Sequence, residues 1–546
     1  MTSTPAYIGE HNLAKNKYSR PKTLLRNPDA IVIGSGIGGL GVASILAQRK
    51  KWRVLVLEGA PTPGGSLRCH EWDGYEFNSG IDSIGDMDPS VGRGTFRPTI
   101  DYITGGKLQW AKMPDMHEVS TFGPDEYPWY SHHERNIAWI EERLGEGAAA
   151  RRYYELEERL EKSATFWGAT KVWPEWMPVK ARELVYQKTA GLWRTYMERK
   201  THDVFVNELG FSEKLAAIFS YMYGNHGRTP ARSPFAFHAM NLNHFRYGAY
   251  YPVGGPAQMV ECIVPIIEAA GGQVAVSCKV ERIVVKDDKA VGVELATGET
   301  INAPVVISAA GAYNTFMEMV DRPIAERYGY PEKFKQIGPS VAHLFLFLGY
   351  DEAIDIPQHI AWHMPSYDIE AFDKGYKQDR DFEHCMGGYM LSPSARDPVY
   401  AQRFPNKSTV IILNEAPHEW VERCRIDPPF RDKMDADIIR YLEPIVLRHY
   451  PILQGKKPAF RRAGMPFGCN PYAWKGCSLG VDCGGDRFLE HTHWLRPHTP
   501  IKNLFLSGQD SFGPGFGSSL FSGRLTYAAM FNNYPFLLRK GVGSFP

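Results

Sequence analysis

The chain of 546 residues carries 62 Lys+Arg against 61 Asp+Glu, a formal net charge of +1, so it lacks the basic excess of a nucleic-acid binder. Its length is enough for two lobes with a sizeable core. Eight cysteines (Cys69, Cys262, Cys278, Cys385, Cys424, Cys469, Cys477 and Cys483) form no C-x-x-C pair and no disulfide framework, which predicts a reducing compartment.

Residues 1–28 contain Lys15, Lys17, Arg20, Lys22 and Arg26 without an apolar core. They do not read as a secretory signal, and predict instead an arm on the domain or a transit-like leader. No run of ~20 apolar residues follows, so no spanning helix is expected. The expected location is the cytoplasm or the face of an organelle membrane touched peripherally, with import by the basic arm left open.

Asp29–Glu58 reads as a dinucleotide cradle. Ala30–Ile33 is a buried strand, and Gly34, Gly36 and Gly39 make G-x-G-x-x-G, with Gly38 inside it. These glycines allow the tight turn, the close approach of backbone to a pyrophosphate and close helix–strand packing. A helix over 37–49 directs its positive end at the phosphates. Val54–Leu57 is the second strand, and Glu58 follows Gly39 by nineteen positions, near the ~20 at which an acid meets the ribose hydroxyls. A carboxylate there repels a 2′-phosphate, which argues against NADP. Gly64-Gly65-Ser66 supplies a second glycine pair whose N–H groups can approach a cofactor.

Between 90 and 249 the chain is helix-like at 151–165 and 215–223. It is rich in aromatics (Trp110, Trp129, Trp139, Trp167, Trp173, Trp176, Trp193), which suit the walls of a lipid pocket or an ordinary core. His132-His133 and His491-Thr-His493 lack a second pair at ligand spacing, so no metal is expected and they read as surface histidines. After Tyr251-Pro-Val-Gly-Gly, Pro256 opens a helix with Met259, Ile263, Ile266 and Ile267 on one face. Val274, Val276, Cys278 and Val280 alternate as one strand. Two more follow at 282–285 and 290–295 about an Asp287-Asp288 turn, and 305–310 is another buried strand. Strands are also expected at 341–349 and 408–414. The last block, Asn503-Leu-Phe-Leu-Ser-Gly508-Gln509-Asp510 and Gly513-Pro-Gly515-Phe-Gly517, reads as strand, loop and a helix from 518 to 531. That helix start can face a flavin. Gripping from both ends of the chain favours FAD over NAD.

These blocks resemble the phytoene desaturase, carotenoid isomerase and retinol saturase group of FAD-dependent oxidoreductases, within the amine-oxidase-like superfamily. The retinol saturase branch is the nearest resemblance. It is carried by Gly74–Gly85, by Pro393-Ser-Ala-Arg-Asp-Pro with Arg403-Phe-Pro-Asn-Lys-Ser-Thr, and by Leu495–Asp510. The resemblance implies an α/β fold: a Rossmann-like FAD-binding domain of the amine-oxidase/GDI type, with a mixed-sheet plus helical substrate domain. The FAD domain is expected to be discontinuous (29–89, 250–319 and 491–546), with 90–249 and 320–490 forming the substrate domain.

The resemblance also implies noncovalent FAD held by Gly34, Gly36, Gly38, Gly39, Glu58, Gly65, Ser66, Val280, Gly508, Gln509 and Asp510. Ser66 stands where many relatives have Arg, and Asp82 where the saturase pattern has His. Asp82 and Tyr251 are the candidates for polar groups near the flavin ring. The chain contains no second nucleotide cradle, so a reductase would take its electrons from an external donor or from NAD(P)H sharing the flavin site. The expected substrate is a hydrophobic polyene, with one C=C bond reduced. Two other readings use the same scaffold: redox-neutral isomerisation of a carotenoid or polyunsaturated fatty acid, and GDI-like lipid binding without catalysis. A fatty acid would call for a cation, and Arg232 and Arg246 are candidates.

Overall fold

A computed structural model describes residues 18–532 apart from 79, 89, 91–95, 174–176, 466–471 and 490–492. Two sheets organise them. The first is parallel and five-stranded, in the order Leu504–Leu506, Val306–Ser308, Ala30–Ile33, Val54–Leu57, Gln273–Ala275. Its strands are short apolar runs buried on both faces, as parallel strands require. Alternation sorts the side chains. Ala30, Val32, Val54 and Val56 face the helices Ile37–Lys50, Ala257–Ala269 and Gly515–Phe531. Ile31, Ile33, Leu55 and Leu57 face an antiparallel meander of Val280–Lys286, Lys289–Leu295 and Thr300–Asn302.

The second sheet is mixed and seven-stranded, in the order Phe460–Gly464, Ala342–Tyr350, Ser408–Ala416, Gly388–Leu391, Ile360–Met364, Met116–Phe122, Asp125–Tyr130. Only Ile360–Met364 with Met116–Phe122 pairs in parallel. On one face Leu344, Leu346, Ile412 and Met390 pack on Met434, Ile438 and Leu442 of the Pro428–His449 helix. The other face meets an aromatic layer contributed by the helices between 133 and 243. No described helix is long and apolar enough to cross a membrane.

The alternating run 274–280 is not one strand. Pairing stops at Ala275, Ser277 adopts a positive φ of 53°, and the backbone turns to bond Glu58 and Ala60 through Cys278 N (2.8 Å) and Ser277 N (2.9 Å). This bend carries Val280 to the side of the cradle. The last helix starts at Gly515, three residues earlier than expected. The helices at 151–165 and 215–223 become Gly147–Thr170 and Glu213–Phe219, the latter ending in a 3-10 turn. Of the tryptophans, Trp129 and Trp139 are core, Trp167 and Trp193 line the main cavity, and Trp176 lies outside the described residues.

Candidate cofactor and substrate site

The carboxyl ends of the parallel strands open into a cavity of about 1220 Å³ that continues to the aromatic face of the mixed sheet. Ligands of open α/β sheets bind at that end, and the volume exceeds the ~300–1,000 Å³ of a typical small-ligand pocket.

At its inner end lies the glycine loop. A Cβ on Gly39 would sit 2.2 Å from Gly34 O, and one on Gly38 would sit 2.7 Å from the Gly508 backbone. Those two glycines let chain pack on chain. A Cβ on Gly36 meets nothing within 4 Å, and it would project into the space where a pyrophosphate must approach. The Ile37–Lys50 helix has no acid in its first turn, so its own sequence supplies no anion to its N-terminal N–H groups. The residues fit a dinucleotide cofactor.

Glu58, 9% exposed, is oriented by three donors. Ala60 N donates to Oε1 (2.8 Å), and Ser35 N (3.0 Å) and Ser35 Oγ donate to Oε2. Oε1, with a single donor, keeps a lone pair that a ribose hydroxyl could take. Ser35 Oγ also accepts from Gly64 N (2.9 Å), so this serine ties together the glycine loop, the acid and the second glycine pair. The sequence reading missed it because it occupies an unconstrained position of the motif. Gly65 (φ 56°) would place a Cβ 3.2 Å from Gly36 Cα, so the two glycine segments face each other closely. Ser66 lines the cavity, and so does Arg68, whose Nε donates to Gly65 O at 3.0 Å. Val280 lines the same region.

The C-terminal segment closes the opposite side. Ser507 Oγ donates to Gly38 O (2.9 Å) and Gly508 N to Ser522 Oγ (2.7 Å), locking the first and last helices together. Gly508, Gln509 and the first residues of the Gly515–Phe531 helix line the cavity. Gln509 donates through Nε2 to Ser478 O (3.3 Å). Asp510 also lies in the lining, but its carboxylate is spent on protein. Oδ2 accepts from Ala312 N (2.8 Å), Oδ1 accepts from Val481 N (3.0 Å), and Arg487 lies 3.6 Å away. It clamps three segments together.

Of the two ring-proximal candidates, the structure puts one at the wall. Asp82 lines the cavity, and its Oδ1 accepts from Ser83 N (2.6 Å). Burial raises its pKa, while the Ser83 N–H and the Arg396 guanidinium pull it back. Arg396, 1% exposed, donates to Ser83 Oγ (2.7 Å) and Gln358 O (3.0 Å). Tyr251 lies behind the wall, not in it: it is 2% exposed, absent from the lining, and its hydroxyl accepts from Asn78 Nδ2 at 3.3 Å. Tight pairing of Pro252 and Tyr250 with Trp110 and Lys112 holds it there.

Three groups at the wall were not anticipated. His244 accepts from Gly85 N at Nε2 (2.9 Å), so its neutral ring carries the proton on Nδ1, 3.8 Å from Asp86. Tyr389 and Glu118 come from separate strands. Glu118 is 1% exposed, accepts the Tyr221 hydroxyl, and has its pKa pushed up to about 8 by burial. His133, read as a surface residue, is instead packed on Tyr154 with its Nε2 3.3 Å from Glu157; His491 lies outside the described residues. Arg232 pairs with Asp373, and Arg246 with Glu158 and Glu161; neither lines the cavity.

The floor is a cross-strand row. Register aligns Phe345 with Leu413, Leu413 with Tyr389, Tyr389 with Trp362, and Trp362 with Ser120. Glu118 lies two residues from Ser120 on the same face. Trp362 stacks on Tyr389 with centroids 4.6 Å apart.

The family model for flavin-containing amine oxidoreductases matches residues 183–516, more than half of the sequence, and that for an NAD(P)-binding Rossmann-like domain matches 32–91. The chain belongs to the flavin-containing amine oxidoreductase family. Within it, this flavoenzyme falls in the retinol saturase-like branch of the phytoene desaturase group. It is 32% identical to an all-trans-retinol 13,14-reductase of Danio rerio over 92% of this chain and 86% of that protein. A neurosporene-forming phytoene desaturase of Cereibacter sphaeroides is 25% identical over 89% of this chain and 91% of its own. Cyclohexylamine oxidase from Brevibacterium oxydans superposes with a TM-score of 0.58 at 15% identity, covering 94% of this chain and all of that one, which shows the shared fold. The α/β class with a Rossmann-like cofactor domain holds, and the cofactor is a flavin.

Proposed function

We propose that this oxidoreductase, of the branch acting on C=C bonds, reduces one C=C bond of a hydrophobic polyene such as a retinoid or carotenoid, using noncovalent FAD. The observation that carries the reading is the continuity of one cavity from the glycine cradle to the aromatic row Phe345–Leu413–Tyr389–Trp362. The 13,14-reductase activity of the relatives supports a retinoid-like chain.

FAD, when bound, supplies two-electron hydride transfer. The protein's residues do the rest. Gly36 leaves room for the pyrophosphate, the N–H groups of the Ile37–Lys50 helix bind its charge, and Glu58 takes the ribose. Arg68, on the wall beside Ser66, would provide the phosphate cation that residue 66 lacks. The start of the Gly515–Phe531 helix would favour negative charge on the reduced ring. The aromatic floor holds a planar polyene flat, excludes water and positions it within near-attack distance, about 3–3.5 Å. A reduced nicotinamide is the proposed electron donor, entering the same site between turnovers.

The test is anaerobic. The purified enzyme is photoreduced and mixed with a panel of retinoids and carotenoids while both absorbance spectra are followed. Reoxidation of the flavin as the polyene loses one conjugated double bond supports the reading. A shifted polyene spectrum with the flavin redox state unchanged replaces it with isomerisation, and no reaction with any polyene rejects it.

A further inference from the structure

Reduction of a C=C bond needs a proton as well as a hydride, and Asp82 and Glu118 are two of the carboxyl groups that line the cavity. They stand in different company. Asp82 is held by the Ser83 N–H, and the buried guanidinium of Arg396 braces the same turn through Ser83 Oγ. Glu118 has no ion-pair partner within salt-bridge distance among the described residues; its hydrogen bond comes from Tyr221, a neutral phenol.

The surroundings of Glu118 are aromatic. Trp129 stacks on Tyr221 with centroids 4.7 Å apart, and Trp362 meets Tyr221 edge-on at 5.5 Å. The Trp362 indole N–H makes no hydrogen bond of normal geometry and lies close enough to favour the ionised Glu118. Glu118 itself lines the cavity at the end of the cross-strand row.

Behind Tyr221 is a second, small pocket of about 30 Å³, room for roughly two waters. Tyr221 and Phe245 belong to its wall, together with Ser131, His117, His133 and Glu157. Glu157 is 1% exposed, accepts from Tyr153 Oη at 2.9 Å, and has His133 Nε2 at 3.3 Å. Tyr221 therefore separates a polar pocket from the acid in the main cavity.

We propose that Glu118 is the proton donor of the reduction, and that it is reprotonated through Tyr221 from the small pocket. The inference rests on the polyene-reductase reading. In the balanced step, reduced FAD gives a hydride to one alkene carbon and is oxidised, while the Glu118 carboxyl gives its proton to the other carbon. Two C–H bonds form and the π bond is lost. The carboxylate then takes a proton by way of Tyr221 from a pocket water, and a nicotinamide-type donor re-reduces the flavin.

Acid–base logic agrees with this assignment. Burial is the largest influence on Glu118, holding it protonated at neutral pH, with a pKa of about 8. Charge on Asp82 raises it further, while Tyr221 and Arg396 lower it. Tyr389 is the remaining titratable group facing it, across the floor. Burial raises both carboxyls, and geometry distinguishes them: a phenol hydroxyl backs Glu118, and a backbone N–H holds Asp82.

The experiment compares wild-type holoenzyme with Glu118→Gln, Asp82→Asn and Tyr221→Phe. In Glu118→Gln, flavin absorbance and polyene binding are retained, while reoxidation of the photoreduced enzyme by polyene slows by about 10²-fold or more. A readout independent of turnover is infrared difference spectroscopy of the oxidised holoenzyme across a pH titration. Glu157, which burial likewise pushes up to about 8, gives one component of the protonated carboxyl band near 8 in wild type; the Glu118 component is the one absent in Glu118→Gln. In Tyr221→Phe it titrates at higher pH, because the lost hydrogen bond favoured the ionised form. Wild-type rates in Glu118→Gln, loss of reoxidation in Asp82→Asn alone, or a band of undiminished intensity in Glu118→Gln overturns the assignment while leaving the reductase reading intact. Wild-type enzyme inert toward every polyene overturns both.

Discussion

Four glycines of the cradle are alike in sequence and unlike in environment, so alanine at Gly36 and at Gly39 should have opposite consequences. Gly36 has φ −62° and ψ 170°, a conformation open to any residue, and its Cβ would meet no protein atom within 4 Å. As the residue capping a helix it loses less than about 1 kcal/mol on change to alanine. The stiffer unfolded chain returns ~0.4–1 kcal/mol. The apoprotein should therefore be as stable as wild type. The methyl instead overpacks the bound pyrophosphate, at a cost of about 1–3 kcal/mol, which is roughly a 5- to 150-fold weaker Kd for FAD. At Gly39 the same methyl would lie 2.2 Å from a backbone carbonyl oxygen, which cannot move without parting strand from helix, so that variant should lose apoprotein stability by ~3 kcal/mol or more. Urea unfolding of the apoproteins and FAD titration by fluorescence quenching separate the two effects. Excess FAD at ~100 Kd adds about 2.7 kcal/mol to wild type, and that increment should shrink in Gly36→Ala. Wild-type FAD affinity in Gly36→Ala would refute the placing of the pyrophosphate at this loop.

Three further outcomes are expected. Asp510→Asn leaves Ala312 N–H or Val481 N–H facing an amide donor, so stability by urea unfolding should fall by about 1–3 kcal/mol; an unchanged midpoint would mean the clamp is dispensable. Phe345→Ala removes one member of the floor and should weaken polyene binding by ~1.5–3 kcal/mol, roughly 10- to 150-fold, with FAD affinity unchanged. His238 is fully buried, its Nε2 donates to Phe219 O (2.8 Å), and burial lowers its pKa to about 4. Below the ordinary histidine range the unfolded chain takes up a proton that the folded chain refuses. Stability should therefore fall on acidification between pH ~6.5 and ~4, by about 3 kcal/mol from this residue, and His238→Gln should flatten that part of the urea-unfolding pH profile.

The cofactor end was legible because it is local. Gly34 through Glu58 is one strand–helix–strand unit in which each residue's task depends on neighbours within thirty positions. The closing segment 503–517 was legible as a pattern of strand, glycine turns and helix. Side-chain assignments within these blocks were less secure. Asp510 and Tyr251 both belong to motifs, yet the contacts that tie one to Ala312, Val481 and Arg487 and the strand pairing that holds the other behind the wall come from segments distant in the chain. The alternation from Val274 to Val280 was also misleading, because apolar spacing does not reveal the positive φ at Ser277 or the competing bonds to Glu58 and Ala60.

By itself, then, the sequence determined the parallel sheet's glycine cradle, the carboxylate that follows its second strand, and the strands expected at 341–349 and 408–414 and found at Ala342–Tyr350 and Ser408–Ala416, all of which follow from short-range sterics and periodicity. Only the tertiary structure decided what lines the cavity beyond the cradle. Phe345, Leu413, Tyr389, Trp362 and Glu118 come from five strands, and Tyr221 and His244 come from the helical layer above them. Strand register brings the first five into one line, and sheet–helix packing delivers the last two. Burial then makes an acid of Glu118, because a carboxyl group's charge is set by the water and partners around it and not by its place in the chain.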